Sequence, residues 1–236
     1  MPILRKWEFD GAACGIWRVT ETAEKLRSLL TEKSFTQDFF NFKSPARQLE
    51  YLAVRALLRE LLGKECRVLH HESGKPYLEN SLCRISISHT KGFVALIIHP
   101  EKEIGIDIEY HSDRVKKVVG RFVSSGEMSL IERKVSDIAD NNTVEEFRIN
   151  MYLLFWSAKE TMFKMINSSE VDFLEHLSIN SVSFSEHSGN SAVVDAHSKV
   201  FNGTMNAYEC RTSLKTEMSI EFYLTEEFVC TYSCID

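Results

Sequence analysis

The chain has 236 residues, 44% hydrophobic and 26% charged, enough apolar surface for an ample core in one large domain or two small ones. Its net charge of −6 excludes a general nucleic-acid binder, which needs a strongly basic domain. No apolar run approaches the ~18 residues of a membrane span, so neither nucleic acid nor membrane is an expected partner.

The first clear element is a helix predicted over residues 45–62. Ser44 stands at the N-cap, Pro45 at the first helical position and Gly63 at the stop. Leu49, Leu52, Ala53, Ala56 and Leu57 form its apolar face. Arg47 and Arg55 are eight residues apart, so they lie roughly on one side. The sector 41–100 carries nine Lys or Arg against five Glu on an otherwise acidic chain, which points either to a local anionic ligand or to a chance excess of charge on a solvated surface. Residues 84–89 and 93–98 read as strands, with Ser88-His89-Thr90-Lys91-Gly92 as the turn between them. A third strand covers 104–110, with Ile104, Ile106 and Ile108 on one face and Gly105, Asp107 and Glu109 on the other.

Residues 111–142 read as short helices and a mobile loop, with the loop at 137–142. A long helix then opens on a Thr143-Val144-Glu145-Glu146 capping box. Its apolar stripe is Phe147, Met151, Leu154, Phe155, Ala158 and Met162. Strands are expected at 178–184, 192–201, 206–212, 218–224 and 228–235. The fold class is therefore α+β, in two comparable halves, 1–103 and 104–236. The six cysteines (14, 66, 83, 210, 230, 234) form no C-x-x-C pair and have no zinc spacing. With no secretory segment at the N-terminus, they are expected as reduced thiols in the cytoplasm. The adjacent His70 and His71 read as structural or exposed.

Asp107 and Glu109 share a strand face with Cα atoms about 6.5 Å apart, and Glu160 lies on the outer stripe of the long helix with Trp156 and Lys164 at i−4 and i+4. If that helix packs on the strand, three carboxylates converge. An all-oxygen site suits Mg²⁺ or Mn²⁺ rather than zinc, and magnesium shares its shell with phosphate oxygens. The plain alternatives are a solvated strand face for Asp107 and Glu109, and an i,i+4 surface ion pair for Glu160 and Lys164.

Taken together, the motifs are more specific. Ile104-Gly105-Ile106-Asp107-Ile108-Glu109 followed by Trp156-Ser157-Ala158-Lys159-Glu160-Thr161-Met162-Phe163-Lys164 resembles the 4′-phosphopantetheinyl transferase superfamily. Ser73-Gly74-Lys75-Pro76-Tyr77, Ile87-Ser88-His89-Thr90, Arg47 and the Arg121–Glu127 segment also match its motifs, in the family's order. Thr161 stands where that family usually has Ala or Ser.

The length resembles the larger single-chain branch. That resemblance implies two α+β subdomains related by pseudo-twofold symmetry, each a helix on a small, mainly antiparallel sheet, in a monomer. It implies Mg²⁺-dependent transfer of phosphopantetheine from coenzyme A to a serine of an apo acyl or peptidyl carrier protein, releasing adenosine 3′,5′-bisphosphate. Asp107, Glu109 and Glu160 would hold the metal. Lys164 and Lys159 would pair with the pyrophosphate. Arg47 and His89, with Lys43, would hold the 3′-phosphate, and Gly74, Lys75 and Pro76 would line the adenine pocket, with Ser88 beside His89. Glu160 is the first candidate for general base and Glu127 the second. Lys116, Lys117 and Arg121 would serve as docking charges for the carrier. The alternative function is a non-catalytic module of the same fold that binds coenzyme A or a carrier protein. A different Mg²⁺-dependent nucleotide transferase or hydrolase would want a Walker-type glycine loop, which is absent.

Overall fold

The computed structural model describes residues 3–32, 39–138, 143–166, 170–185, 200–211 and 216–236. The chain divides into two compact units, Met1–Ile108 with Asp236, and Glu109–Ile235. The sequence places the seam at 103/104; the contacts place it inside a strand, β7 (Glu103–Tyr110), after Ile108.

The first unit is built on a sheet of order β1-β2-β6-β5. β1 (Ile3–Phe9) and β2 (Ala12–Arg18) are joined at Asp10 and Gly11. Both have positive φ (45° and 80°), as the tightest hairpin turns require. The sequence reading assigns no element this early, because polar Arg5, Lys6 and Glu8 on β1 weaken the alternation. β5 (Arg84–Thr90) pairs antiparallel with β6 (Phe93–His99), whose seven residues are all buried. The turn between them is shorter than the sequence suggests. Thr90 pairs with Phe93, so only Lys91 and Gly92 turn, and Ser88 and His89 are strand residues.

Helix α1 (Ala23–Ser28) precedes α2 (Pro45–Leu62), and α2 packs on β2 and β6. Gly63 stops α2 at φ 70°, but Ser44 makes no side-chain cap hydrogen bond. Gly15 on β2 is what lets α2 lie close. A Cβ there would meet Leu57 Cδ1 at 2.8 Å. A small pair, β3 (Val68–His70) and β4 (Pro76–Leu78), completes the unit.

In the second unit, two 3-10 turns lead to α3 (Ser125–Ile138) and α4 (Val144–Met165). β8 (Leu177–Phe184), β9 (Phe201–Glu209), β10 (Thr216–Leu224) and β11 (Phe228–Ile235) follow as antiparallel neighbours. The strand expected at 206–212 is part of β9, which begins earlier, at Phe201, and ends at Glu209. Gly203 and Ala207 on its buried face hide the alternation that would have marked it as one strand. Positions 192–199 lie outside the described residues, as do 139–142 of the expected loop; Asp137 and Ile138 instead complete α3.

The capping box at Thr143 does not form. Thr143 has αR geometry (φ −110°, ψ −3°) and no side-chain cap hydrogen bond. The predicted apolar stripe of α4 is buried throughout, against β11 and β10. Hydroxyls add to this contact. Thr161 Oγ1 is 2.7 Å from Thr231 Oγ1 and donates to Thr231 O at 3.2 Å, and Ser157 Oγ is 2.9 Å from Thr231 Oγ1. Thr161→Val keeps the volume and removes the hydroxyl. It should cost about 1–2 kcal/mol, read as a lower urea midpoint at unchanged slope. No helix among the described residues is long and apolar enough to cross a membrane.

Candidate functional site

In the first unit, α2, β5 and the β3–β4 pair enclose a cleft of about 420 Å³. Its charged lining comes from Arg47, Arg55, Glu50 and the imidazoles of His70 and His89; Phe42 and Tyr51 add aromatic faces, and Gly74 and Pro76 a backbone wall. Arg47 Nη1 is 2.9 Å from Glu50 Oε2 and 2.5 Å from His89 Nε2, and His89 Nδ1 is 3.4 Å from Glu50.

Arg55 is a site candidate the sequence reading missed. It is 7% exposed, its guanidinium lies 3.2 Å from the Tyr51 ring centre, and it donates to Tyr51 O at 3.0 Å. Its signal was the eight-residue spacing from Arg47. His70 is exposed, as the sequence suggests, and also lines the cleft. Burial, then the nearby Arg55, holds its imidazole below the usual histidine range, which favours the neutral ring.

The structure does not gather all the expected coenzyme A residues here. Lys43 is exposed and outside the cleft lining. Lys75 lines a second cleft of about 480 Å³ and bonds Glu103 Oε2 at 2.8 Å. Ser88 turns away too. It donates to Asp107 Oδ1 at 2.8 Å inside the same unit. Asp107 is 4% exposed, so its strand face is not solvated.

In the second unit, α4 is buried on nearly every side from Ile149 to Met165. Only Trp156, Glu160, Phe163 and Lys164 are half-exposed. Trp156, Glu160 and Lys164 are spaced one turn apart, so they form a single stripe. Trp156 Nε1 donates to Glu109 Oε1 at 2.8 Å. The indole therefore ties Glu109 to the helix face that carries Glu160. Trp156 packs inside this unit on Phe122 and Phe173.

Lys159 and Glu127 differ most from expectation. Lys159 is fully buried and Glu127 is 3% exposed. The Lys159 ammonium donates to Phe122 O (2.6 Å), Phe173 O (2.8 Å) and Glu127 Oε2 (3.0 Å). All three of its hydrogens are thus spent, and it has none for a pyrophosphate. Burial lowers its pKa, with Glu127 opposing. Glu127 closes a capping box on α3. Ser124 N donates to its Oε2 at 2.8 Å, and its own N–H donates to Ser124 Oγ at 3.3 Å. Ile179 N donates to its Oε1 at 2.9 Å. Both oxygens of the Glu127 carboxylate are thus engaged by donors of its own unit. Among the expected docking charges, Lys116 is held by Glu145 at 2.8 Å, while Lys117 and Arg121 are exposed.

Among the described residues, no three His, Cys, Asp or Glu side chains are grouped closely enough to hold a metal ion. The chemistry of the individual donors does fit a hard divalent cation. Each is a carboxylate, and two are oriented by a hydrogen bond from a neighbour, Ser88 to Asp107 and Trp156 to Glu109.

A family model described as the 4′-phosphopantetheinyl transferase superfamily matches residues 103–232, more than half of the chain. Similar proteins include the 4′-phosphopantetheinyl transferase AcpT of Escherichia coli O157:H7 and that of Escherichia coli K12. Each is 27% identical over 140 residues, which span 57% of this chain and 68% of the relative. These matches make the α+β protein an enzyme of the transferase class. More narrowly, the chain belongs to the 4′-phosphopantetheinyl transferase superfamily.

Proposed function

We propose that the protein transfers the 4′-phosphopantetheine arm of coenzyme A to a serine of an apo carrier protein and releases adenosine 3′,5′-bisphosphate, as a Mg²⁺-dependent monomer in the cytoplasm. The observation that carries this reading is the Trp156-Glu160-Lys164 stripe, half-exposed on the Ile149–Met165 stretch of α4, whose other residues except Phe163 are buried, with Glu109 bonded to its first member. Beyond the exposed first turn of α4, that stripe is the part of the helix able to meet a substrate.

Asp107, Glu109 and Glu160 would hold the cation, which supplies charge neutralisation at the departing phosphate. The rest falls to the chain's own groups. Arg47 and His89, with Arg55 deeper in the cleft, bind the 3′-phosphate through charge-assisted hydrogen bonds. Gly74 and Pro76 present backbone to the adenine, with the neutral His70 opposite. Lys164 meets the pyrophosphate as a point charge. Glu160 takes the serine proton, since Glu127 is occupied by Ser124, Ile179 and Lys159. The acceptor is a carrier protein of acyl or peptidyl type.

The test is incubation with coenzyme A, Mg²⁺ and a panel of apo carriers, followed by mass spectrometry of each carrier. At least one carrier should gain a single phosphopantetheine. If coenzyme A binds and no carrier gains mass, the proposal fails in favour of a binding module. Bisphosphate released without a modified carrier would point instead to a hydrolase.

A further inference from the structure

The indole of Trp156 is held from three directions. Its N–H is committed to Glu109 Oε1. Its ring meets Phe122 edge-on, with centroids 5.1 Å apart at 68°, and lies tilted against Phe173 at 5.5 Å and 41°. The backbone carbonyls of those same two phenylalanines both accept from Lys159 Nζ, at 2.6 and 2.8 Å. Lys159 is three residues along α4 from Trp156. One enclosed ammonium thus pins both walls of the slot in which the indole sits. Glu127 neutralises that ammonium and is itself fixed by the backbone of Ser124 and Ile179. All of these residues belong to the second unit.

A tryptophan that only filled the core would be sealed in, as Phe122 and Phe155 are. Trp156 is half-exposed and gives its only polar hydrogen to a carboxylate. A hydrogen bond on one oxygen fixes the rotation of the carboxyl group. A cation bound there then meets a ligand already ordered.

We infer that Trp156 is a positioning residue that orients the Glu109 carboxylate, and that the Lys159–Glu127 pair holds the indole in register. This rests on the cation site of the proposed function. Removing such an orienting partner lowers metal affinity about 10- to 100-fold.

The test uses the full chain with Trp156→Phe, which keeps an aromatic ring and deletes the donor. Free Mn²⁺ is measured by electron paramagnetic resonance during titration, with thermal melting alongside. The expected result is a Mn²⁺ dissociation constant raised about tenfold or more, with a melting temperature changed by only a few degrees. An unchanged constant in a folded variant overturns the inference. If the wild type binds no Mn²⁺, the inference falls together with the cation site, and the carrier mass assay reports separately on the transferase reading.

Should the Phe variant not fold, the wild-type indole N–H resonances serve. Glu109→Gln identifies Trp156 as the one that shifts, and saturating Mg²⁺ must then move that resonance in the wild type. A Trp156 resonance indifferent to Mg²⁺ overturns the inference.

Discussion

Lys159→Met is expected to destabilise the protein by about 3–5 kcal/mol, the usual result of removing one partner from a buried ion pair. The change fits the volume but strands three acceptors at once. Glu127, 3% exposed, keeps only backbone donors for a full negative charge, and Phe122 O and Phe173 O lose their shared donor. For a chain of this length the loss corresponds to a fall in melting temperature of roughly 10 °C. The double variant Lys159→Met/Glu127→Gln removes the stranded charge and should recover part of it. Calorimetry on the two single variants and the double gives the coupling between them, expected above ~1 kcal/mol because the residues touch. Additive effects would mean that the pair is not a unit, and a Lys159→Met melting point within ~2 °C of wild type would remove it from the stability argument.

The charge of Lys159 is obvious in the sequence and its burial is not. Lys159 neighbours Glu160, and the motif presents them as a pair. Successive residues on a helix diverge by about 100°, so they need not share a face. A finer sign was present. Lys159 is four residues after Phe155 and three before Met162, so it falls on the apolar stripe itself. Glu127 offers the same lesson. Ser124 stands three residues before it, and Met128 and Ile131 follow, which is the pattern of a capping box opening an apolar run.

A second Ser/Thr-x-x-Glu pattern, Thr143 to Glu146, did not cap anything. Thr143 has αR geometry there, whereas a capping residue is normally extended. Local patterns state what a side chain can do. Burial and partner are settled by segments distant in sequence, such as Phe173 and Ile179. The elements that were legible, α2, β5–β7 and α4, carry their own signals. Pro45 and Gly63 bracket α2, β6 is apolar from end to end, and the α4 stripe keeps helical spacing over four turns. β1, β9 and the loop-bounded β3–β4 pair are short or interrupted by polar and small residues, and their strand character comes from pairing.

Asp107→Asn should lower the rate of carrier modification about a thousandfold, if the charge of Asp107 contributes the several kcal/mol expected of a cation ligand in phosphate transfer. Asparagine is nearly the same shape, and its carbonyl oxygen can still accept from Ser88 Oγ, now 2.8 Å from Oδ1. The fold should therefore hold, with a melting temperature within a few degrees of wild type. Two roles for a carboxylate 4% exposed are separated by this one substitution. A structural anion would show its loss in melting and leave turnover near normal. A cation ligand would show it in turnover and in Mn²⁺ affinity together, with melting little changed. Ser88→Ala would weaken Mn²⁺ binding in the same direction but less, because it disturbs the orientation of Asp107 without removing its charge. An Asp107→Asn enzyme that modifies carriers within fivefold of the wild-type rate would take this residue out of the reaction altogether.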